Sequence, residues 1–172
     1  MTTVDSLQTQ INSVIALYSN GQIQEALDSV ETLTKDYPDE PLLFNISGAC
    51  YKAIGQPDAA VKSYEKAVAI KPDYAAAYNN LGNILTDLGQ IDVAVKRYEK
   101  ALDIKPDYAE VHHNLSTIRQ YKTNDVQITK MQSLLNSSDL NQSDRMYLCF
   151  ALAKVNEDLG KQDEFFEFLH EG

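Results

Sequence analysis

PLLFNISGACYKAIGQPDAAVKSYEKAVAIKPDY, residues 41–74, runs directly into AAAYNNLGNILTDLGQIDVAVKRYEKALDIKPDY, residues 75–108. Set one above the other, half of the columns are identical. They include Gly48/Gly82, Gly55/Gly89, Ala60/Ala94, Tyr64/Tyr98, Ala67/Ala101 and the run IKPDY that closes both copies. The phase extends outward, because Gly21, Ala26 and Pro38 stand one period before Gly55, Ala60 and Pro72. A fixed period of this length is the mark of a stacked repeat, in which no single unit can bury its own apolar face.

Each unit reads as two helices. In the second copy, helix A covers 75–88, with Tyr78, Leu81, Ile84, Leu85 and Leu88 at helical spacing. Gly89 ends it, since glycine readily takes the left-handed conformation that closes a helix. Asp92 is placed to cap helix B, whose apolar side is Val93, Ala94, Val95, Tyr98, Ala101, Leu102 and Ile104. Pro106 stops that helix by pushing the residue before it out of helical geometry. Gly82, Ala94 and Ala101 mark close helix approaches, with Tyr78, Leu85 and Tyr98 filling the space around them. The predicted fold class is all-α, a right-handed α-solenoid of about five helix–turn–helix units with a concave and a convex side.

Tyr78, Leu81, Gly82, Leu85, Gly89, Ala94, Tyr98, Ala101 and Pro106 together resemble the tetratricopeptide repeat (TPR) family. The first copy departs mainly at Ser47, where the family prefers leucine. Tyr78 and Phe44 stand where tryptophan is commoner, and this chain has no tryptophan. The resemblance implies a single solenoid domain over 1–172, with units at 7–40, 41–74 and 75–108, a degenerate unit at 109–145 and a partial one at 146–172. The outer units keep the pattern loosely. In 7–40, Leu17, Gly21, Ala26, Leu33 and Pro38 remain, while Val14 and Val30 take the small and aromatic positions. Beyond 108, His112, Leu115 and Ser116 replace the aromatic, leucine and glycine, and KTND at 122–125 replaces the turn. A helix is expected over 125–136, then a polar loop at 137–143, three residues longer than the period. A last hairpin follows with Leu148, Leu152, Val155, Gly160, Phe165, Phe168 and Leu169.

That last helix offers Phe165, Phe166, Phe168 and Leu169, whereas a terminal repeat usually presents a polar outer face. Either the chain is an N-terminal fragment, or another copy covers its end as a homo-oligomer. The closing stretch from 150, with SSDL and DR at 137–145, also resembles the end of the repeat module in bacterial TPR–sulfotransferase proteins. No phosphate-binding glycine loop occurs in these residues, so that resemblance implies context rather than an active site.

Formal net charge is −10, which disfavours nucleic acid and anionic membrane as partners. Residues 1–20 lack the basic-then-apolar order of a secretory signal, and no stretch has the apolar length of a membrane span. Cys50 and Cys149 sit on apolar helix faces in different units and read as buried, reduced thiols. These features point to a cytoplasmic protein.

The sequence holds no HExxH, CxxC or GxSxG motif. His112 and His113 are consecutive, so a helix points them about 100° apart and they make no metal pair. His112 falls at the aromatic packing position and His113 on the groove side. The acids Asp73/Glu65 and Asp107/Glu99 lie near helix ends and read as solvated. The chain is expected to be no enzyme, with no catalytic residue, metal or cofactor.

In the TPR family helix A lines the concave groove, which implies a peptide site at Asn45, Ala49, Lys52, Asn79, Asn80, Asn83 and Asp87. It continues at His113, Asn114, Thr117 and Gln120, while the first unit offers Ile11, Ile15 and Tyr18. Asn45/Asn79 and Asn80/Asn114 are each one period apart. A side-chain amide both donates and accepts, so a ladder of asparagines can hold the backbone of an extended peptide. This resembles the asparagine ladder of the glycosyltransferase that adds N-acetylglucosamine to intracellular proteins, over two or three rungs. An equally weighted alternative is that these asparagines are merely solvated. A basic clamp for a chaperone's C-terminal carboxylate is disfavoured, because Lys52 is the one cation among these positions.

Three roles follow: a non-catalytic scaffold for a protein or peptide segment, a self-assembly module through the terminal helices, or the targeting arm of a sulfotransferase encoded downstream.

Overall fold

At the end of helix A in the first strong repeat, Gly55 adopts φ +75°, open to glycine at little cost. Its N–H donates to the Lys52 carbonyl at 3.1 Å and the Gln56 N–H to the Tyr51 carbonyl at 2.9 Å. Two terminal carbonyls are thus satisfied as the chain reverses. The same turn geometry recurs at Gly21, Gly89 and Gly160. This is a computed structural model that describes residues 3–172, so the first two positions of the N-terminal stretch read above lie outside the described residues.

The described residues form ten helices and no strand. They are α1 (Thr3–Ser19), α2 (Ile23–Asp36), α3 (Pro41–Ala53), α4 (Pro57–Ile70), α5 (Ala75–Asp87), α6 (Ile91–Ile104), α7 (Ala109–Ile118), α8 (Val126–Leu135), α9 (Gln142–Asp158) and α10 (Gln162–Glu171). The architecture is the all-α succession of helical hairpins that the period predicts. It divides into two compact units, Met1–Leu88 and Gly89–Gly172.

In the first unit each helix packs on the next, and α3 also meets α1 and α5. Ile11, Val14, Ala26, Leu27, Val30, Leu43, Ile46 and Cys50 form the core. The helices α3 and α4 come close at Gly48, where an added β-carbon would lie 2.6 Å from Cε1 of the buried Tyr64. Glu40 caps α3 by accepting from the Leu42 N–H at 3.3 Å. The Tyr51 hydroxyl donates to Glu31, joining α3 to α2. Ile11 corrects the sequence reading: it is 3% exposed and belongs to the core, whereas Ile15 and Tyr18 are exposed. Residues four apart on a helix share a face only approximately, and the α1 stripe turns inward at Ile11 and Val14.

In the second unit, Ala94, Tyr98 and Ala101 of α6 are buried. Asp92 does not cap α6. Gln90 is the N-cap without a side-chain bond, and Asp92 lies within the first turn, where its charge complements the helix dipole. The α7–α8 connection has no glycine; Asp125 caps α8 instead, accepting from the Gln127 N–H at 3.0 Å. The helix α9 starts at Gln142, capped by Asn141, so the polar loop ends earlier than 143. Met131, Leu135, Leu148, Cys149, Leu152 and Val155 make the core, with Tyr121 and Ala109. Both cysteines are buried, and burial raises the Cys50 thiol pKa. Phe168 packs against this core, while Phe166 and Leu169 are exposed.

Candidate functional site

On α3 and α5 the polar residues meet in pairs. The Asn80 side-chain amide donates from Nδ2 to Asn45 Oδ1 at 2.9 Å. Seven residues further along each helix, about two turns and 10 Å on, Lys52 Nζ lies 2.9 Å from Asp87 Oδ2. The ion pair is solvent-accessible and contributes little to stability. Its effect is to neutralise Lys52, the one lysine among the described residues of α3 and α5, which argues against a clamp for a terminal carboxylate there. The amide pair is half-buried. That bond leaves Asn80 one N–H and both carbonyl lone pairs, and leaves Asn45 both N–H groups and one lone pair.

This pairing differs from the ladder expected at one period. Asn45 pairs with Asn80, one residue beyond the 34-residue period. Asn79 is 1% exposed and lies in the packed layer, so it leaves the exposed set. Asn83 is half-buried one turn on from Asn80, and Ala49 one turn on from Asn45.

The second unit holds His113, Asn114 and Thr117 on α7. The His113 ring stands 5.8 Å from the Tyr147 ring and 6.2 Å from that of Phe150 on α9. Its Nδ1 is buried with no hydrogen-bond partner, and desolvation lowers its pKa despite the nearby Glu110. His113 and Thr117, with Phe150, Ala153, Lys154, Glu157, Phe165 and Leu169, line a largely apolar cleft of about 390 Å³. Lys154 on its rim is held by Glu157 at 2.8 Å and Asp158 at 2.7 Å. Thr117 turns its hydroxyl to the Asn114 carbonyl at 2.7 Å, and Gln120 is exposed.

His112 is fully buried, as its packing position predicts. Around it is a set of residues the sequence reading missed: Arg119, Asp125 and Gln127. Arg119 Nη2 lies 2.6 Å from Asp125 Oδ2, and its Nη1 donates to Gln127 Oε1 at 3.1 Å. Gln127 Nε2 lies 3.2 Å from His112 Nδ1, whose Nε2 lies 3.0 Å from the Pro106 carbonyl. The available signal was a polar residue at an aromatic position, which needs polar partners wherever it is buried.

Among the described residues no group of three or more His, Cys, Asp or Glu side chains could hold a metal ion. No described helix is long and apolar enough to cross a membrane.

The protein-family model described as TPR repeat matches residues 48–85 and 82–116. Residues 48–116 thus carry the tetratricopeptide repeat pattern. Solved TPR structures share the fold at low identity. The nearly identical TPR-like repeats of a Podosopora anserina kinesin light chain superpose with a TM-score of 0.72 at 21% identity, over 99% of this chain and 95% of that one. MamA gives 0.68 at 19% identity, over 91% and 90%. The Yersinia enterocolitica type III secretion chaperone SycD, solved with a peptide of the translocator YopD, gives 0.62 at 22%, over 66% and 92%. No curated protein sequence matches this chain.

Proposed function

We propose that the chain is a non-catalytic scaffold that holds an extended peptide or protein segment along the polar face of α3 and α5. The Asn80–Asn45 bond carries the reading. It fixes two amides side by side, each with donor and acceptor capacity left over, which is what the backbone of an extended segment requires. Pre-fixing those side chains lowers the entropy lost on binding. The internal Lys52–Asp87 pair argues for an uncharged stretch of ligand rather than a terminal carboxylate. TPR structures solved with peptides, SycD with its YopD peptide among them, support the general role.

Peptides selected from a random display library on the whole chain supply the probe. The double substitution Asn45→Ala and Asn80→Ala is expected to weaken the selected peptides about tenfold or more, since two lost hydrogen bonds are worth about 1–3 kcal/mol. Helical circular dichroism should stay as in the parent. Undiminished affinity in a folded variant would reject the α3–α5 site.

A second reading has its own observation: Phe166 and Leu169 of α10 are exposed. In that reading α10 joins copies of the chain. Sedimentation over a hundredfold range of concentration should show mass growth that Phe166→Glu removes; constant monomer mass ends it.

A further inference from the structure

We infer that His112 is a proton-operated latch, holding the start of α8 against α7 only while its ring is neutral. The geometry fixes the direction of every bond in the relay. The Pro106 carbonyl can only accept, so His112 Nε2 carries the hydrogen and donates at 3.0 Å. Nδ1 is then a bare acceptor, and it takes the Gln127 amide N–H at 3.2 Å. Gln127 Oε1 in turn accepts from Arg119, whose other terminal nitrogen is held by Asp125. The chain runs one way, from guanidinium to amide to imidazole to carbonyl, and each bond polarises the next.

A proton on Nδ1 breaks that order. The charged ring has two donors, and the Gln127 amide facing it is also a donor. Turning the amide over restores an acceptor to the ring but sets its NH₂ against Arg119. One of the two contacts is lost either way. The charged groups around His112 do not offer a substitute. From α6, Glu99 and Asp103 line the cleft of about 370 Å³ that reaches the ring, and Asp125 and Lys130 line it from the α8 side. Asp107 acts from the α6–α7 turn, favouring the charge, and Lys130 opposes it. From α9 no charged residue lines this cleft. The ring itself is fully buried. Desolvation is the largest influence and lowers its pKa, outweighing the Pro106 bond and Asp107.

The element that would be released is weakly held. In α8 only Met131 and Leu135 are buried, and Val126 at its start is 81% exposed. Segments with little buried apolar surface open at low free-energy cost, so loss of the latch is readable there.

Hydrogen exchange and imidazole ¹⁵N spectra of the whole chain test the latch. The opened state carries a histidine of ordinary pKa, so protection of the α8 amides should fall as pH drops below about 6.5, by up to about tenfold at pH 5.5 and about thirtyfold at pH 5.0, relative to pH 8. Amides of α3 and α4, in a unit without histidine, serve as the reference and should stay level. His112 should show the Nε2–H tautomer at pH 7 and titrate with the loss of α8 protection. Gln127→Glu places a carboxylate acceptor at Nδ1; it should raise the His112 titration midpoint above 6.5 and flatten the α8 response. Flat α8 protection in the parent chain from pH 8 to 5 would overturn the latch. So would an acid loss unchanged by Gln127→Glu. The parent titration decides alone where that variant does not fold.

Discussion

A β-carbon on Gly48 would stand 2.6 Å from Cε1, 2.7 Å from Cδ1 and 2.8 Å from Cζ of Tyr64, a ring that is 2% exposed and has nowhere to go. Gly48→Ala therefore pushes α3 from α4, and overpacking of this kind costs about 1–3 kcal/mol. Urea unfolding measures it, and pairing the change with Tyr64→Leu should cost less than the sum of the two, because one clash is removed. Gly55→Ala is the contrast. Nothing lies within 4 Å of its added carbon, so the cost comes from the left-handed backbone alone, about 1–2 kcal/mol, and Tyr64→Leu should not relieve it. Both glycines were legible in the sequence, because a residue type that recurs every 34 positions in a packed repeat answers to a fixed geometric demand. Asn79 was not. Asparagine is tolerated on an exposed face and in a satisfied buried position alike, and the period could not tell its 1% exposure from the half-burial of Asn45 and Asn80.

The degenerate hairpin α7–α8 shows what the pattern leaves out at the level of elements. Without a glycine turn, the connection is tied by side chains: Arg119 to Asp125, and Asp158 Oδ2 of α9 to the Tyr121 N–H at 3.2 Å. Helix periodicity announces that α8 exists and which side it buries, but these ties join residues up to 37 apart, beyond any local pattern. Asp158→Ala leaves the Tyr121 N–H unpaired and removes one of the two carboxylates on Lys154. A loss of about 1–3 kcal/mol is expected in denaturant midpoints, with the fastest added exchange at 119–125. The same hairpin sets an acid limit. Burial lowers the pKa of both His112 and His113, so each is neutral in the fold and ordinary when unfolded. Unfolding then takes up protons, which means that this stability is present above about pH 6.5 and lost as pH falls below it. Melting at pH 7.5 and 5.5 should show the drop, and His113→Phe, which keeps the stacking on Tyr147 and Phe150, should make it shallower. At the alkaline end the buried Tyr64 and Tyr121 hydroxyls have raised pKa values, so their contribution holds below about pH 10 and fades above it.

For the molecule as a whole, one number in the sequence matters more than any contact: a net charge of −10 on 172 residues. The repeat period sufficed for the fold because, within each unit, helices bury their apolar sides on neighbouring helices, so local spacing carried most of the packing information. It said much less about a ligand, since side chains that face outward answer to a partner and not to the period. Charge narrows the partner without naming it. The Lys52–Asp87 pair is already closed, so the α3–α5 face supplies no local cation, and an approaching segment meets the long-range negative field first. A field of this kind changes encounter rates far more than dissociation. Among peptides selected on this chain, a version flanked by lysines should associate at least about tenfold faster at 20 mM salt than at 500 mM, where the screening length shrinks to a few ångströms. The same peptide flanked by serines should change less than about twofold, because nothing in it is steered. Stopped-flow association at the two salt concentrations gives the ratio. Equal salt slopes for the two versions would mean that the acidic surface lies too far from the site of capture to guide the ligand in.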